Sequence, residues 1–356
     1  LIWGDTENLN QSVGINLEWN YSDALTFVFD YHDSSAEKEG TELPNEMGLV
    51  APATATISHF NGGTSGINSF VYDRTFDTDD YTYGSLYYRD AFKENQMEQF
   101  QFSGLWENLD GKVSDSIKSV EFGISRADSA FQDMRMEEIN NATPGTSASS
   151  AMLTRTSLDG FMSAFRDNPS LPAYYFAINK GSALEDWIAN FGDISAGPID
   201  INDMVEETLD AAFIQVNMEF MINDRPLNVV AGVRYEESDT TSTALEATPS
   251  VIRWDLINGL IYPNGGEVAA ARSGSNDIVL PQLAMAYELT DDQVLRLSYG
   301  KSMGRPSLQD LRSSFQFGNR DYLIPTASGG NPGLEPLESE NLDIAYELSL
   351  IHISEP

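Results

Sequence analysis

Cysteine is absent from the 356 residues, which removes a disulfide framework and any thiolate metal site. Positive charge is scarce: 20 Lys and Arg stand against 55 Asp and Glu, a formal charge of −35. That balance argues against nucleic acid as a partner, because phosphate binding needs clustered Lys and Arg. It argues equally against attachment to anionic lipid through a basic patch. Histidine occurs three times, and no Ser-His-Asp or Cys-His constellation can be assembled, so the chain reads as neither an enzyme nor a cofactor or metal protein. No apolar run approaches the roughly 20 residues of a spanning helix. This excludes helical membrane proteins but not barrels, whose signal per segment is weaker.

What is present is alternation. Ala212, Ile214, Val216, Met218, Phe220 and Ile222 interleave with Phe213, Gln215, Asn217, Glu219, Met221 and Asn223; a tight Asn223-Asp224-Arg225-Pro226 turn follows. Then Leu227, Val229, Ala231, Val233 and Tyr235 alternate with Asn228, Val230, Gly232, Arg234 and Glu236. Side chains of a strand point to opposite faces with period two, so one face of this hairpin is an apolar row and the other is mostly polar. The length exceeds an ordinary strand of about 5–6 residues and suits a tilted strand of roughly 9–11 residues crossing a bilayer.

The pattern recurs. Val13, Ile15, Leu17 and Trp19 lead through a Tyr21-Ser22-Asp23 turn to Leu25, Phe27, Phe29 and Tyr31. A third pair runs from about Gln99 to Phe131, with Asn108-Leu109-Asp110-Gly111 opening the connection. A fourth has Leu283, Met285, Tyr287 and Leu289, a Thr290-Asp291-Asp292-Gln293 turn, then Leu295, Leu297 and Tyr299. A last strand covers Asn341–Glu347. Long segments at 35–95, 133–205, 240–276 and 304–338 separate the hairpins, always at the end away from the short turns. Short turns alternating with long loops are the pattern of outer-membrane barrels. Within the loops, Leu158, Phe161, Met162 and Phe165, and again Leu184, Trp187, Ile188 and Phe191, have helical spacing. The region 65–92, with Phe70, Tyr72, Tyr81, Tyr83, Tyr87 and Tyr88, is a candidate for one more strand pair.

The expected fold is therefore all-β: a partial antiparallel transmembrane β-barrel of outer-membrane receptor type, with long, partly helical extracellular loops. Trp19, Tyr31, Trp106, Tyr235, Tyr287 and Tyr299 lie near strand ends on the apolar faces, where aromatic girdles would sit. In a soluble β-sandwich, the competing reading, these rings would be core, but strands would be shorter and turns would recur every 8–12 residues.

Two segments resemble a known family. Leu295–Ser307, with Ser298, Ser302, Arg305, Pro306 and Ser307, resembles the strand ending in S-x-S/T-x-x-R-P-S/T of TonB-dependent receptors. Gly330–Asp343, with Asn331, Pro332, Leu334, Pro336, Ser339 and Asn341, resembles their N-P-x-L-x-P-E-x-S/T-x-N-x-E/D segment. Leu337 stands between Pro336 and Glu338, a departure shared with the subgroup known from Xanthomonas- and Caulobacter-type receptors, which Asp30-Tyr31-His32-Asp33-Ser34 also resembles. The resemblance implies a barrel of about 22 strands plugged by an N-terminal globular domain, in the outer membrane of a Gram-negative bacterium. Such a receptor takes up a scarce small-molecule nutrient, an iron-siderophore or an oligosaccharide, with energy from the TonB complex. The subgroup leans towards carbohydrate. On this reading residues 1–347 are a partial receptor barrel lacking the plug and the C-terminal strands.

The tail Leu348–Pro356 resembles the translation of CTG TCT CTT ATA CAC ATC TCC GAG CCC, a transposon-end sequencing adapter, so 348–356 are expected to be an artefact and His352 to carry no function. Of the other histidines, His32 is expected to face the lumen near a strand end rather than do chemistry. Asp77-Thr78-Asp79-Asp80 has oxygen ligands for calcium but lacks the Gly and distal Glu of a dedicated loop, and reads as a solvated acidic loop. Tyr174, Tyr175, Phe176 and Trp187 are candidates to stack on a ligand from the longest loop, or else to pack its helices. Arg234, Arg296, Glu219 and Glu288 fall on the polar face, towards lumen or plug. Arg305-Pro306 is expected to end a strand, since Pro donates no ladder hydrogen bond. A passive porin and a secreted soluble carbohydrate-binding or adhesive module remain as alternatives.

Overall fold

The computed structural model describes residues 6–40, 46–51, 56–59, 69–72, 75–109, 111, 114–158, 160, 173–251, 253–255, 259–261, 264–317 and 327–348. The chain forms β1 (Thr6–Ser22), β2 (Leu25–Gly40), β3 (Glu46–Val50), β4 (Thr56–His59), β5 (Ser69–Tyr72), β6 (Thr82–Glu107) and β7 (Ile117–Asn141). Then come β8 (Leu153–Ser157), β9 (Tyr174–Ile178), α1 (Lys180–Phe191), β10 (Ile199–Ile222) and β11 (Arg225–Pro249). The remainder are β12 (Arg253–Asp255), β13 (Gly259–Ile261), β14 (Asn264–Thr290), β15 (Gln293–Gly304), β16 (Phe315–Phe317), β17 (Ala327–Gly329) and β18 (Leu337–Leu348). Contacts divide the chain into two units. The first holds 1–7, 39–91 and 135–200; the second holds 8–38, 92–134 and 201–356.

The second unit is the antiparallel meander that the alternation predicts, in the order β1-β2-β6-β7-β10-β11-β14-β15-β18. Its register puts Ile214 opposite Val233, Phe220 opposite Leu227 and Val229 opposite Met285, so the apolar rows join across strands. Ile214, Val233, Val279 and Leu295 are exposed on that face. Aromatic residues mark its two edges. Trp106 (opposite Leu25) and Tyr287 (opposite Leu227) lie towards the short turns. Tyr31, Tyr235 and Tyr299 lie at the other edge. Along β11 these edges are eight residues apart, Leu227 to Tyr235, or ~27 Å of strand; at the 35–45° tilt of barrel strands that is a rise of ~19–22 Å, most of the roughly 25 Å apolar band of an outer-membrane barrel.

The turn at 223–224 is tighter than the four residues expected. Asn223 and Asp224 both have positive φ (50° and 57°), and the ladder resumes at once with Ile222 opposite Arg225 and Met221 opposite Pro226. This is the two-residue geometry whose twist matches its strands, and Asn and Asp are the non-glycine residues that tolerate it.

The loops are shorter than expected, because the strands run on past the aromatic edge: β6, β7, β10, β11 and β14 have 24–27 residues each. In β11 the side chains alternate strictly above Tyr235, with Glu236, Ser238, Thr240, Ser242 and Ala244 buried and Glu237, Asp239, Thr241 and Thr243 exposed. The sense has inverted, since it is now the polar face that is covered. The strands β14 and β15 pair only up to Gln282 opposite Gly300. Pro281, next along β14, has no N–H with which to continue a ladder.

The first unit has its own core of Met47, Tyr83, Leu86, Ala148, Met152, Leu153, Ala183 and Trp187. The helical spacing at 184–191 is realised in α1, whose N-terminus is capped by Asn179 Oδ1 accepting from the Ser182 N–H at 3.0 Å. The second helical expectation, at 158–165, falls mostly outside the described residues, as do 349–356 of the tail; Leu348 ends β18 opposite Gln293. Among the described residues of 65–92 there are two strands, but they are not a pair: β5 pairs with β4, and this end of β6 pairs with β3. The acidic run at 77–80 is a short helical turn in which the Asp77 and Asp80 carboxylates accept backbone N–H groups in a capping box.

Replacing Asp224 with Gly should leave stability unchanged or raise it by a few tenths of a kcal/mol to about 1. Asp224→Val should lower it by about 1–2 kcal/mol, because a β-branched residue is forced into the left-handed region. Denaturant unfolding of the full-length protein in lipid vesicles reads both.

Candidate functional site: an ion-pinned strap on the polar face

The surface buried above Tyr235 is covered by the segment that leaves β15. Residues 305–314 fold back over β7 at Asp133, β10 at Asp203 and β11 at Glu236, positions that all belong to the second unit. Arg305 reaches two strands: its guanidinium pairs with Glu236 on β11 and lies 3.5 Å from Glu207 on β10. Glu236 is also paired with Arg234, two residues along the same face. One turn further on, Arg312 donates to Asp203 at 3.2 Å and lies 3.7 Å from Asp133, which Lys93 holds at 2.9 Å. Ser314 Oγ donates to Asp203 at 2.8 Å. The Ser313 N–H donates to Ser242 Oγ at 2.8 Å, and Arg272 donates to the Ser313 carbonyl at 2.5 Å.

Leu308 and Leu311 supply the apolar part of the contact, against Phe131 and Val205. The strap returns beside itself. The Asn331 N–H donates to Asp310 O at 2.9 Å, and Asn331 Oδ1 accepts from the Gly333 N–H at 3.0 Å. Pro332 is buried with its carbonyl against Gly274, where an added Cβ would come within 2.4 Å of that oxygen.

Asp203 is 1% exposed, and its Oδ1 has no hydrogen-bond partner among the described residues. Burial pushes its carboxyl above the usual range, against the opposing pull of Ser314 and Arg312, while Asp133 adds to the rise. In the first unit, burial and then the hydrogen bond to Asp186 raise the Tyr83 phenol.

The residues singled out in the sequence separate as follows. Arg234 lies in the network just described. Arg305-Pro306 does follow the last residue of β15, but the arginine is a cross-strand anchor that a strand-stop reading misses. Arg296 pairs with Glu347 at 2.9 Å and Glu219 with Lys118 at 3.0 Å, both exposed pairs far along the strands from the strap. Glu288 is half-buried opposite Val294. Asn341 pairs in register with Gly300, and Pro336 directly precedes β18.

In the first unit Trp187 is 1% exposed and packs on Tyr83 and Phe191, with ring centroids 5.4 and 4.6 Å away. Its ring is committed to the core and presents no face to a ligand. Phe176 packs on the same core. Tyr174 carries the Arg155 guanidinium 3.6 Å from its ring centroid and donates to Phe76 O at 3.0 Å. Tyr175 is 50% exposed. Among the described residues, no group of three or more His, Asp or Glu is placed to hold a metal ion.

The family model described as TonB dependent receptor-like, beta-barrel, matches residues 3–351. No curated protein matches the sequence. Among solved structures, the siderophore receptor PiuA from Acinetobacter baumannii aligns at 12% identity over 97% of this chain and 38% of its own, with a TM-score of 0.44. The ferric-catecholate import receptor Fiu from K12 E. coli, closed form, aligns at 13% over 98% and 39%, TM-score 0.44. The ferric yersiniabactin uptake receptor FyuA from Yersinia pestis aligns at 10% over 98% and 34%, TM-score 0.43. The chain thus spans 34–39% of the length of these receptors.

Three variants test the network. Among the described residues, Arg305→Ala leaves Glu236 with one cation, Arg234, and Glu207 with none; it should cost roughly 1–3 kcal/mol, below the 3–5 of a fully buried pair because the arginine is partly exposed. Arg305→Lys should recover less than half, since one ammonium cannot span two carboxylates as a guanidinium does. Because the folded carboxyl of Asp203 holds its proton more tightly than the unfolded one, its contribution to stability grows as pH falls through the raised pKa and levels off below the ordinary carboxylate range. The wild type should therefore gain stability relative to Asp203→Asn on acidification. Unfolding midpoints measured from neutral pH downwards would show this, and a constant difference would refute it.

Proposed function

The chain belongs to the TonB-dependent receptor-like β-barrel family, and from that premise we propose that it forms barrel wall and loops of an outer-membrane receptor for active uptake of a scarce small-molecule nutrient. The family consists of receptors and transporters, not enzymes. The observation that carries the proposal is the family match over almost the whole chain, supported by a sheet with one lipid-compatible face between two aromatic edges. In this reading the apolar rows meet outer-membrane lipid and the polar faces of the strands line the lumen. The loop-derived first unit, with Tyr175 exposed, belongs to the ligand-capturing side. Energy comes from the TonB complex through a plug domain carried by the full-length receptor. The nutrient is an iron-siderophore or an oligosaccharide.

The full-length gene expressed in a Gram-negative host gives the test. The product should fractionate with the outer membrane, migrate faster on gels when unheated than when boiled, and support ligand uptake that stops when TonB is deleted. Uptake persisting without TonB would indicate a passive porin instead, and a detergent-free soluble product would remove the barrel reading altogether.

A further inference from the structure

The anchor at Arg305 sits where the sheet itself comes apart. The ladder between β14 and β15 ends at Gln282 opposite Gly300, yet both strands run on. β14 continues beside β11 as far as Asn264, and β15 continues beside β18 as far as Gly304 opposite Leu337. Where they part there is a cavity of about 510 Å³, lined by Phe213, Arg234, Leu280, Gln282, Lys301 and Ser302. A seam thus opens in the sheet from the aromatic edge upwards.

The residues along the seam are matched as if for pairing. Carrying the register on from Gln282 and Gly300 sets Pro281 against Lys301, Leu280 against Ser302, Val279 against Met303 and Ile278 against Gly304, and brings Arg305 to Asp277. Val279 with Met303 is an apolar cross-strand pair and Asp277 with Arg305 an oppositely charged one, both favourable. Asp277 also stands in a row of like charges. It is opposite Glu237, which is opposite Asp210, and like charges directly opposite are destabilising. Arg126 lies 3.5 Å from Asp210 at one end of the row; Arg305 on Asp277 would serve the other end. Pairing can go no further, because the returning limb of the strap holds the next stretch of β14, with Asn276 Nδ2 donating to Leu334 O at 3.2 Å.

Two features make the seam easy to open. Pro281 offers no N–H to a ladder. Gly300 and Gly304 bracket the free stretch of β15, and a Cβ on either would meet open space, so crowding is not what excludes a side chain there; hinges are often built from small residues. What holds the seam open is Arg305, engaged with Glu236 and Glu207. Glu236 alternates with Glu237 along β11, so it lies on the opposite face of the sheet from Asp277. One guanidinium cannot serve both faces at once.

We propose that Arg305 is a two-position latch. On Glu236 and Glu207 it holds the root of the strap down and the seam open. On Asp277 it lets β14 and β15 zip as far as Ile278 opposite Gly304. Glu236 retains Arg234 in the zipped position, and Glu207 gains water as the root lifts, so neither position leaves a bare buried charge. The latch goes beyond the uptake reading and does not depend on which nutrient is carried.

Disulfide trapping in the full-length protein in detergent tests it. Val279→Cys with Met303→Cys report the zip, since Cα atoms directly opposite in an antiparallel ladder lie ~4.5–5.5 Å apart, within disulfide reach. With copper-phenanthroline as oxidant, trapping should be slow in this background. It should be about ten-fold faster when Glu207→Gln and Glu236→Gln weaken the strap side, the weight of one charge-assisted hydrogen bond. Adding Asp277→Asn should cancel the gain, and Asp277→Glu in its place should restore it. Heat-modifiable gel migration checks that each variant folds; if the double variant fails that check, Glu207→Gln alone carries the test. Trapping at one rate in every background, or in none, overturns the latch. A gain that survives Asp277→Asn also overturns it, because general loosening of the strap then accounts for the zip.

Discussion

The constraint on which the rest depends is that a backbone in hydrocarbon must find every hydrogen-bond partner within the protein. An antiparallel ladder does this strand by strand, and its register dictates which side chains meet lipid. Joining long strands without a gap then demands turns that waste no residues, which is why Asn223 and Asp224 accept positive φ. It also demands room where large side chains cross a neighbouring strand. At Gly123 a Cβ would come within 2.5 Å of the Phe213 ring and 2.8 Å of the Phe102 carbonyl, so the glycine lets a bulky residue lie on the otherwise polar face without breaking the ladder.

Beyond the aromatic edge the same ladder continues under different rules. Outside hydrocarbon the backbone no longer requires cover, yet the polar face is the buried one because the strap lies on it. Burying Asp203, Glu236 and Asp133 there is tolerable only because each carboxylate has a guanidinium or ammonium partner. Buried ion pairs contribute little net stability compared with apolar packing of the same volume. Their effect here is positional: a guanidinium that must satisfy carboxylates on two strands fixes where the strap sits along both. The small apolar cluster of Phe131, Val205 and Leu311 could slide; the paired charges cannot without leaving one of them buried and unmatched.

This division explains what was legible in the sequence. Hydrophobic periodicity reports only strand segments with one apolar face, so the hairpins around 223 and 291 and the one around 23 could be read directly. The upper half of β11, Glu236-Glu237-Ser238-Asp239-Thr240-Thr241-Ser242, has two polar faces and no periodicity, and so resembles a loop. Its strand character comes from pairing with β10 and β14, which is tertiary information. The Arg-Pro and Asn-Pro motifs were visible as family landmarks. The anchoring role of Arg305 was not, because its partners Glu207 and Glu236 lie 98 and 69 residues away in sequence. The one cue available was the concentration of carboxylates at alternate positions in otherwise hydroxyl-rich stretches, which calls for cations from elsewhere.

The aromatic residues of the loop-derived unit show how the choice between packing and presentation is made. Long connections carry a large ordering entropy, and segments beyond about 12–15 residues without secondary structure of their own are uncommon in compact domains. Met47, Tyr83, Leu86, Met152 and Trp187 answer that cost with a core of their own, and Asp186 keeps the buried Tyr83 hydroxyl satisfied. Had Trp187 been outside to meet a ligand, this core would have lost its largest side chain. With the ring inside, α1 and β9 are fixed to one another, so Tyr175 is presented from an ordered strand.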